Sequence, residues 1–138
     1  MKRLFSTSKH AMTIDSWLLF LRIFSGAFMI THGLPKLQLL MSGNEITFFD
    51  PIGLGSGVAL GLAVFAEVIC AGMIVVGLLT RPASILLIIT MSVAAFMKHA
   101  EDPFSSKEKA LLYLLIFSTT LFVGAGRFSV DYLISGKK

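Results

Sequence analysis

The run Ile52–Leu79, IGLGSGVALGLAVFAEVICAGMIVVGLL, carries one acidic or basic residue, Glu67. About 20 apolar residues in a helix cross the roughly 30 Å hydrocarbon core of a bilayer, and this run is long enough to do so with tilt. It does not alternate with period two, so it does not read as a strand. Similar runs flank it, giving expected spans at 14–34, 52–79, 82–98 and 107–124. Their connections are short and polar, and no polar helix face is left to meet water. The expected fold is therefore all-α, an integral membrane four-helix bundle forming a single domain. Pro35-Lys36 closes the first span, and Asp50-Pro51 reads as an N-cap with proline in the first turn of the second. Thr80-Arg81-Pro82 is a tight connection. Ser105-Ser106-Lys107-Glu108 fits a capping box at the start of the fourth helix, and Gly124-Ala125-Gly126 ends that helix.

Composition agrees. Of 138 residues, 55% are hydrophobic and only 14% are charged, against about 25% charged in an ordinary soluble domain. The net charge of +4 and pI near 9.5 do not point to nucleic acid, because the basic residues sit at the ends of apolar runs rather than along a solvated stripe. Lys2, Arg3, Lys9, Arg81, Arg127, Lys137 and Lys138 fall at one end of the bundle. Lys36, Lys98, Lys107 and Lys109 fall at the other, together with Glu45, Asp50, Glu101, Asp102 and Glu108. That bias predicts cytoplasmic termini. No Ala-x-Ala-like site follows the first run, which reads as a span and not as a cleaved signal. Cys70, the sole cysteine, lies in an apolar run, reads as a small buried residue, and excludes dithiol chemistry by this chain alone.

Ionisable residues inside spans cost about 2.5–3.5 kcal/mol each at the bilayer centre on insertion scales. Arg22 and Glu67 are the two that stand out, and an ion pair between their helices is the simplest expectation. Counted at about 1.5 Å per residue, Glu67 lies roughly 9 Å deeper than Arg22, a gap to be closed by tilt, by the long arginine or by a polar intermediary. Arg22, Gly26, Met29, Gly33 and Lys36 share one helical stripe, whose glycines suit a close neighbour. Gly53, Gly57 and Gly61 form a second small-residue groove. His32 and His99 fall near the outer ends of their helices, where they suit interfacial positions, hydrogen bonds to a quinone carbonyl, or haem ligation. Trp17 and Tyr113 fit boundary positions. No metal-ligand cluster, phosphate loop or catalytic triad is legible. In the tail, Arg127 and Asp131 are spaced to meet across a helical turn, and Asp131 is also near the Arg81 loop. As an exposed pair they would contribute about 0–1 kcal/mol.

Four stretches, in order, resemble the DoxX family of small bacterial membrane proteins: Leu21-Arg22-Ile23-Phe24-Ser25-Gly26 running on to His32-Gly33-Leu34-Pro35-Lys36-Leu37; Ala66-Glu67-Val68 with Gly77-Leu78-Leu79-Thr80-Arg81-Pro82-Ala83; Glu108-Lys109-Ala110-Leu111-Leu112-Tyr113-Leu114; and Gly124-Ala125-Gly126-Arg127-Phe128-Ser129-Val130-Asp131. The family's pattern often has proline where Ala125 stands. The resemblance implies a four-helix protein of the bacterial inner membrane, with the lipid bilayer as its surroundings. It also implies a link to redox work, since some relatives look like membrane subunits of thiosulfate:quinone oxidoreductases or partners of antioxidant enzymes. The expected function is an accessory or quinone-facing membrane subunit acting with a redox protein partner, not an autonomous enzyme. Arg22 and Glu67 would form its polar centre, with His32, Lys36, His99 and Glu108 near the outer mouth and a quinone as the ligand. A non-catalytic scaffold and a small transporter or lipid-handling protein are the alternatives, and a homo-oligomer is left open.

Overall fold

The computed structural model describes residues 11–135. The basic residues Lys2, Arg3, Lys9, Lys137 and Lys138, which carry much of the charge bias, lie outside the described residues. Four long helices follow one another: α1 (Ala11–Met41), α2 (Ser56–Val76), α3 (Thr80–Lys98) and α4 (Phe104–Val123), with a short α5 (Val130–Ser135) behind them. The first three are long and apolar enough to cross a membrane. At 20 residues, α4 is about 30 Å long, and its Lys107, Glu108 and Lys109 are confined to the first turns, at the edge of the apolar stretch. Large apolar side chains such as Trp17, Leu115 and Phe122 stand exposed all round the bundle, the inside-out distribution suited to lipid. The protein is an all-α, multi-pass membrane bundle.

Small residues set the packing. A Cβ on Gly26 would lie 2.8 Å from the Ala71 carbonyl oxygen, and one on Gly33 would lie 3.0 Å from Glu67 Cβ. Two glycines of one stripe thus let α1 approach α2 at backbone range. The stripe read from the sequence is the buried face of α1: Arg22, Gly26, Met29 and Gly33 are all buried. The core continues through Ala66, Cys70, Ala71, Ala83, Leu87 and Phe117. Ser84 Oγ and Thr120 Oγ1, both buried, hydrogen-bond at 2.7 Å between α3 and α4. The second glycine stripe does not act this way. Gly53 lies in the loop before α2, and nothing stands within 4 Å of a Cβ built on Gly61.

Several boundaries differ from the sequence reading. Helix α1 passes through Pro35 and ends at Met41. Proline removes one backbone donor, a loss that transmembrane helices tolerate, and the next turn carries Lys36 onto α2. Helix α2 begins only at Ser56, because Asp50 caps a loop rather than a helix: its carboxylate accepts the N–H groups of Ile52, Gly53 and Gly55. The expected capping box is absent. Helix α4 starts at Phe104 with Pro103 before it and makes no side-chain cap bond.

At the end of the bundle that holds Asp15, the α2–α3 turn and α5, three stretches of the sequence tie into one knot. Arg22, 0% exposed, donates to the carbonyls of Ile74 (3.4 Å) and Phe128. Gly77 ends α2 in the left-handed conformation (φ 72°), and a Cβ there would lie 2.0 Å from Arg22 Nη1. Leu79 also takes positive φ (46°), an uncommon conformation for leucine. Asp131 holds it: the carboxylate accepts Leu79 N–H at 2.7 Å and Thr80 N–H at 2.9 Å, capping α3 from another segment, while Asp131 N–H donates to Gly77 O. Arg127 does not pair with Asp131; its Nε reaches Asp15 at 3.3 Å. The tail carboxylate is therefore a structural cap and not an exposed pair.

Because hydrogen bonds to a charged group contribute about 1.5–3 kcal/mol, Asp131→Asn is expected to destabilise the protein by about that amount, not by the 0–1 kcal/mol of an exposed pair. Gly77→Ala, which meets both the guanidinium and a positive φ, should cost more than about 3 kcal/mol. Gly72→Ala, with open space around it, should be neutral or stabilising. Thermal unfolding of the three variants in one detergent checks the order.

Candidate functional site

Arg22 and Glu67 do not pair. Antiparallel packing aligns Gly26 with Ala71 and Gly33 with Glu67, so Arg22 meets α2 at Ile74, two turns or about 10 Å beyond Glu67. Glycine cannot neutralise a carboxylate. Lys36, one turn further along α1, does so instead: its Nζ lies 2.5 Å from Glu67 Oε1. The single polar centre expected from the sequence is two centres at opposite ends of the bundle.

Glu67 sits within an i→i+5 hydrogen-bonded π turn, Phe65–Cys70, in which Ala71 N–H bonds to Ala66 O. A second π turn, Ala94–Lys98, ends α3, with His99 N–H on Ala94 O. Such turns are frequent at functional sites because they widen the helix and re-aim its side chains. Here the two face a common chamber of about 700 Å³, within the range of small-molecule sites. Met29, Ala59, Ala63 and Ile89 give it apolar walls, and Lys36, Glu67, Lys98, His99, Lys109 and Tyr113 supply its polar groups. Glu67 is only 3% exposed; Lys36 takes Oε1, and Oε2 is buried with no hydrogen-bond partner. An unpartnered carboxylate oxygen in a low-dielectric wall is costly unless something binds it.

The loop between α1 and α2 roofs the chamber. Phe48 lies 5.8 Å from the ammonium groups of both Lys36 and Lys98, a cation–π arrangement with each. Asp50 fastens the loop beside it. The Gly55 N–H foremost, then those of Leu54, Ile52 and Gly53, hold the Asp50 carboxyl below the usual aspartate range, against a smaller opposing cost of desolvation. On the α4 side, the Tyr113 ring stacks on Phe117 and meets the His32 ring edge-on, at centroid distances of 5.8 and 6.1 Å.

Of the residues singled out in the sequence, Glu67, Lys36, His32 and His99 line this chamber. His99 also bonds Asp102 through Nδ1. Glu108 is exposed and outside the wall, and Arg22 belongs to the opposite end. Sequence reasoning missed Phe48, Asp50, Lys98 and Lys109. For Asp50 a signal existed, in the glycines at 53 and 55 that bring three amides onto one carboxylate. For Lys98 there was none, because a π turn is invisible to a 3.6-residue count; Lys109 lies on the regular helix α4 and reads as one of several charges in its first turns.

The DoxX family model matches residues 17–100. The chain belongs to the DoxX family. It is similar to a Haemophilus influenzae protein described as "Uncharacterized protein", 32% identical over 125 residues, covering 83% of this chain and 88% of that protein. It is also similar to a Bacillus subtilis protein named "Putative oxidoreductase CatD", 34% identical over 122 residues, covering 87% of this chain and 89% of the relative. No solved structure matches the chain significantly.

Two expectations follow from the site. Breaking the Lys36–Glu67 pair by removing either partner should cost about 3–5 kcal/mol, with much of the loss recovered in the double variant Lys36→Leu/Glu67→Leu. Losses at Arg22 and Glu67 should instead add within about 0.5 kcal/mol, as for distant sites; unfolding measurements on both cycles distinguish the two patterns. For Asp50, a lowered folded-state pKa means that its contribution is present above the ordinary aspartate value of about 3.9 and is lost as pH falls through the folded value. Protection factors for hydrogen exchange at Ile52, Gly53 and Gly55, taken against the unfolded rate at each pH, should therefore hold down to that value and fall below it, and Asp50→Asn should be poorly protected at neutral pH.

Proposed function

We infer that the protein is a quinone-facing membrane subunit that works with a separate redox protein. The observation that carries this is the buried, unpartnered Glu67 Oε2 in the wall of a mostly apolar chamber. A quinone or quinol head is a flat apolar ring with hydroxyl or carbonyl groups on opposite edges, and the chamber offers matching chemistry. Glu67 Oε2 can accept from a ring hydroxyl. Lys36, Lys98 and His32 can donate to a carbonyl, and Met29, Ala63 and Phe48 can pack on the ring. When bound, a quinone supplies two-electron, two-proton chemistry. Glu67 Oε2 would be the acceptor for a proton from a ring hydroxyl, and Lys36, bonded to Oε1, would hold that carboxylate in place. Cys70, the sole thiol and buried, cannot form a dithiol within this chain, which supports a separate redox protein. The name of the Bacillus subtilis relative, an oxidoreductase, is consistent with this reading.

The orientation that goes with it has both termini in the cytoplasm and the chamber toward the outer face, from the lysine and arginine bias. Reporter fusions at the C-terminus and between Gly43 and Phe49 should report opposite sides; the same side for both contradicts the arrangement.

The direct test is mass spectrometry of small molecules retained by the purified protein in mild detergent. Wild type should retain a quinone, and Glu67→Gln/Lys36→Met, which keeps the pair's volume without its charges, should retain at least about tenfold less, since a hydrogen bond to a charged group contributes about 1.5–3 kcal/mol. A wild-type protein that neither retains nor rebinds a quinone refutes the reading.

A further inference from the structure

Helix α4 packs chiefly on α3 and touches α1 only thinly. Between α1 and α4 lies a second cavity of about 670 Å³, open to the surroundings along its length. One wall is a ladder of phenylalanines four residues apart, Phe20, Phe24 and Phe28, with ring centroids 6.4 and 6.1 Å apart. The other is Leu112 and Ile116. Ser25, 4% exposed, forms the floor, where a small side chain leaves the groove its depth. From Trp17 to His32 the groove follows α1 for fifteen residues, about 22 Å, more than half of a hydrocarbon core of about 30 Å. Its upper end is not separate from the chamber: His32, Lys109 and Tyr113 line both cavities.

We propose that this groove seats the polyprenyl tail of the quinone whose head occupies the Glu67 chamber, and that the ligand enters sideways from the bilayer between α1 and α4. The proposal rests on the quinone reading of the chamber. At about 700 Å³ the chamber holds a quinone ring with space to spare but not a full polyprenyl chain as well, so most of the tail lies outside it. Phe48 and the Asp50-fastened loop cover one side. The wall of His32, Lys109 and Tyr113, common to both cavities, leads into an apolar track facing lipid. A chain laid there covers phenylalanine faces that are otherwise more than half exposed to the bilayer, while its head stays beside Lys36 and Glu67. The groove makes the site selective for tailed over tailless quinones.

The test uses the full-length protein in lipid nanodiscs and two probes with the same benzoquinone ring: one tailless, one with a decyl chain ending in a photoactivatable diazirine. After illumination, peptide mapping should find adducts concentrated on residues 17–28 and 112–116. Leu112→Trp fills the groove from its exposed side without touching the core. It should weaken binding of the tailed probe by about tenfold, the equivalent of losing two or so buried methylenes, and leave the tailless probe unchanged. Adducts spread over other lipid-facing surfaces, such as Ile85 and Leu86 on α3, mean that bilayer lipid fills the groove and overturn the proposal. So does an interchain disulfide formed readily by Phe24→Cys in membranes, which means that a second copy covers it. If the tailless ring binds at Glu67 and the tail adducts lie elsewhere, only the groove assignment falls. If neither probe binds, the quinone reading and the groove assignment fall together.

Discussion

The backbone-range contact of α1 on α2 at Gly26 and Gly33 sets the register from which the rest follows. In a bilayer there is little hydrophobic gain in bringing two apolar helices together, and close packing and interhelical hydrogen bonds supply the association instead. Once Gly26 lies on Ala71 and Gly33 on Glu67, the charged residues of α1 have no freedom of partner. Arg22 is delivered to the carbonyls at the α2 terminus and the tail, and Lys36 is delivered to Glu67. Either glycine replaced by a larger residue would push the helices apart and unseat both ends at once.

The two polar centres differ in kind. The Arg22 guanidinium donates to two backbone carbonyls and keeps a buried Nε without a partner, and with Gly77, Leu79 and Asp131 packed around it, it fastens the turn and the tail. The Glu67 carboxylate has an ion-pair partner on one oxygen and turns the other toward a chamber. One buried charge is thus enclosed by the backbone that it ties together, and the other stands in the wall of a cavity, which separates the task of holding the shape from that of meeting a ligand.

The bundle itself was legible because hydropathy and segment length are one-dimensional properties, and Lys36, Glu67, His32 and His99 were legible as polar residues near apolar runs. The pairing was not. The distance arithmetic on Arg22 and Glu67 already signalled a mismatch in depth, but it took Pro35 as the end of the helix, and the charge that neutralises Glu67 lies one residue past that proline. Asp131 was misread for a related reason. Its nearest charged neighbour in sequence, Arg127, is engaged by Asp15; the Arg81 loop, the other expected neighbour, does receive it, but through the backbone amides of Leu79 and Thr80, which no spacing of charged residues reveals. The roof loop and Lys98 depend on a positive-φ turn and on a π turn, neither of which leaves a hydropathy signature.

The π turn at Phe65–Cys70 also bears on the mechanics of α2. One extra residue in a helical turn rotates everything before it by about 100° relative to everything after it. The half of α2 that follows the turn packs most closely on α1; the half that precedes it also touches α1 and, with Ala59 and Ala63, turns a second face toward the chamber. A single helix therefore keeps one neighbour along its length and adds a cavity wall in one half. Shortening the chain by one residue there would leave hydropathy and composition almost untouched, yet would swing the chamber wall away as if the upper half of the helix had been turned like a key.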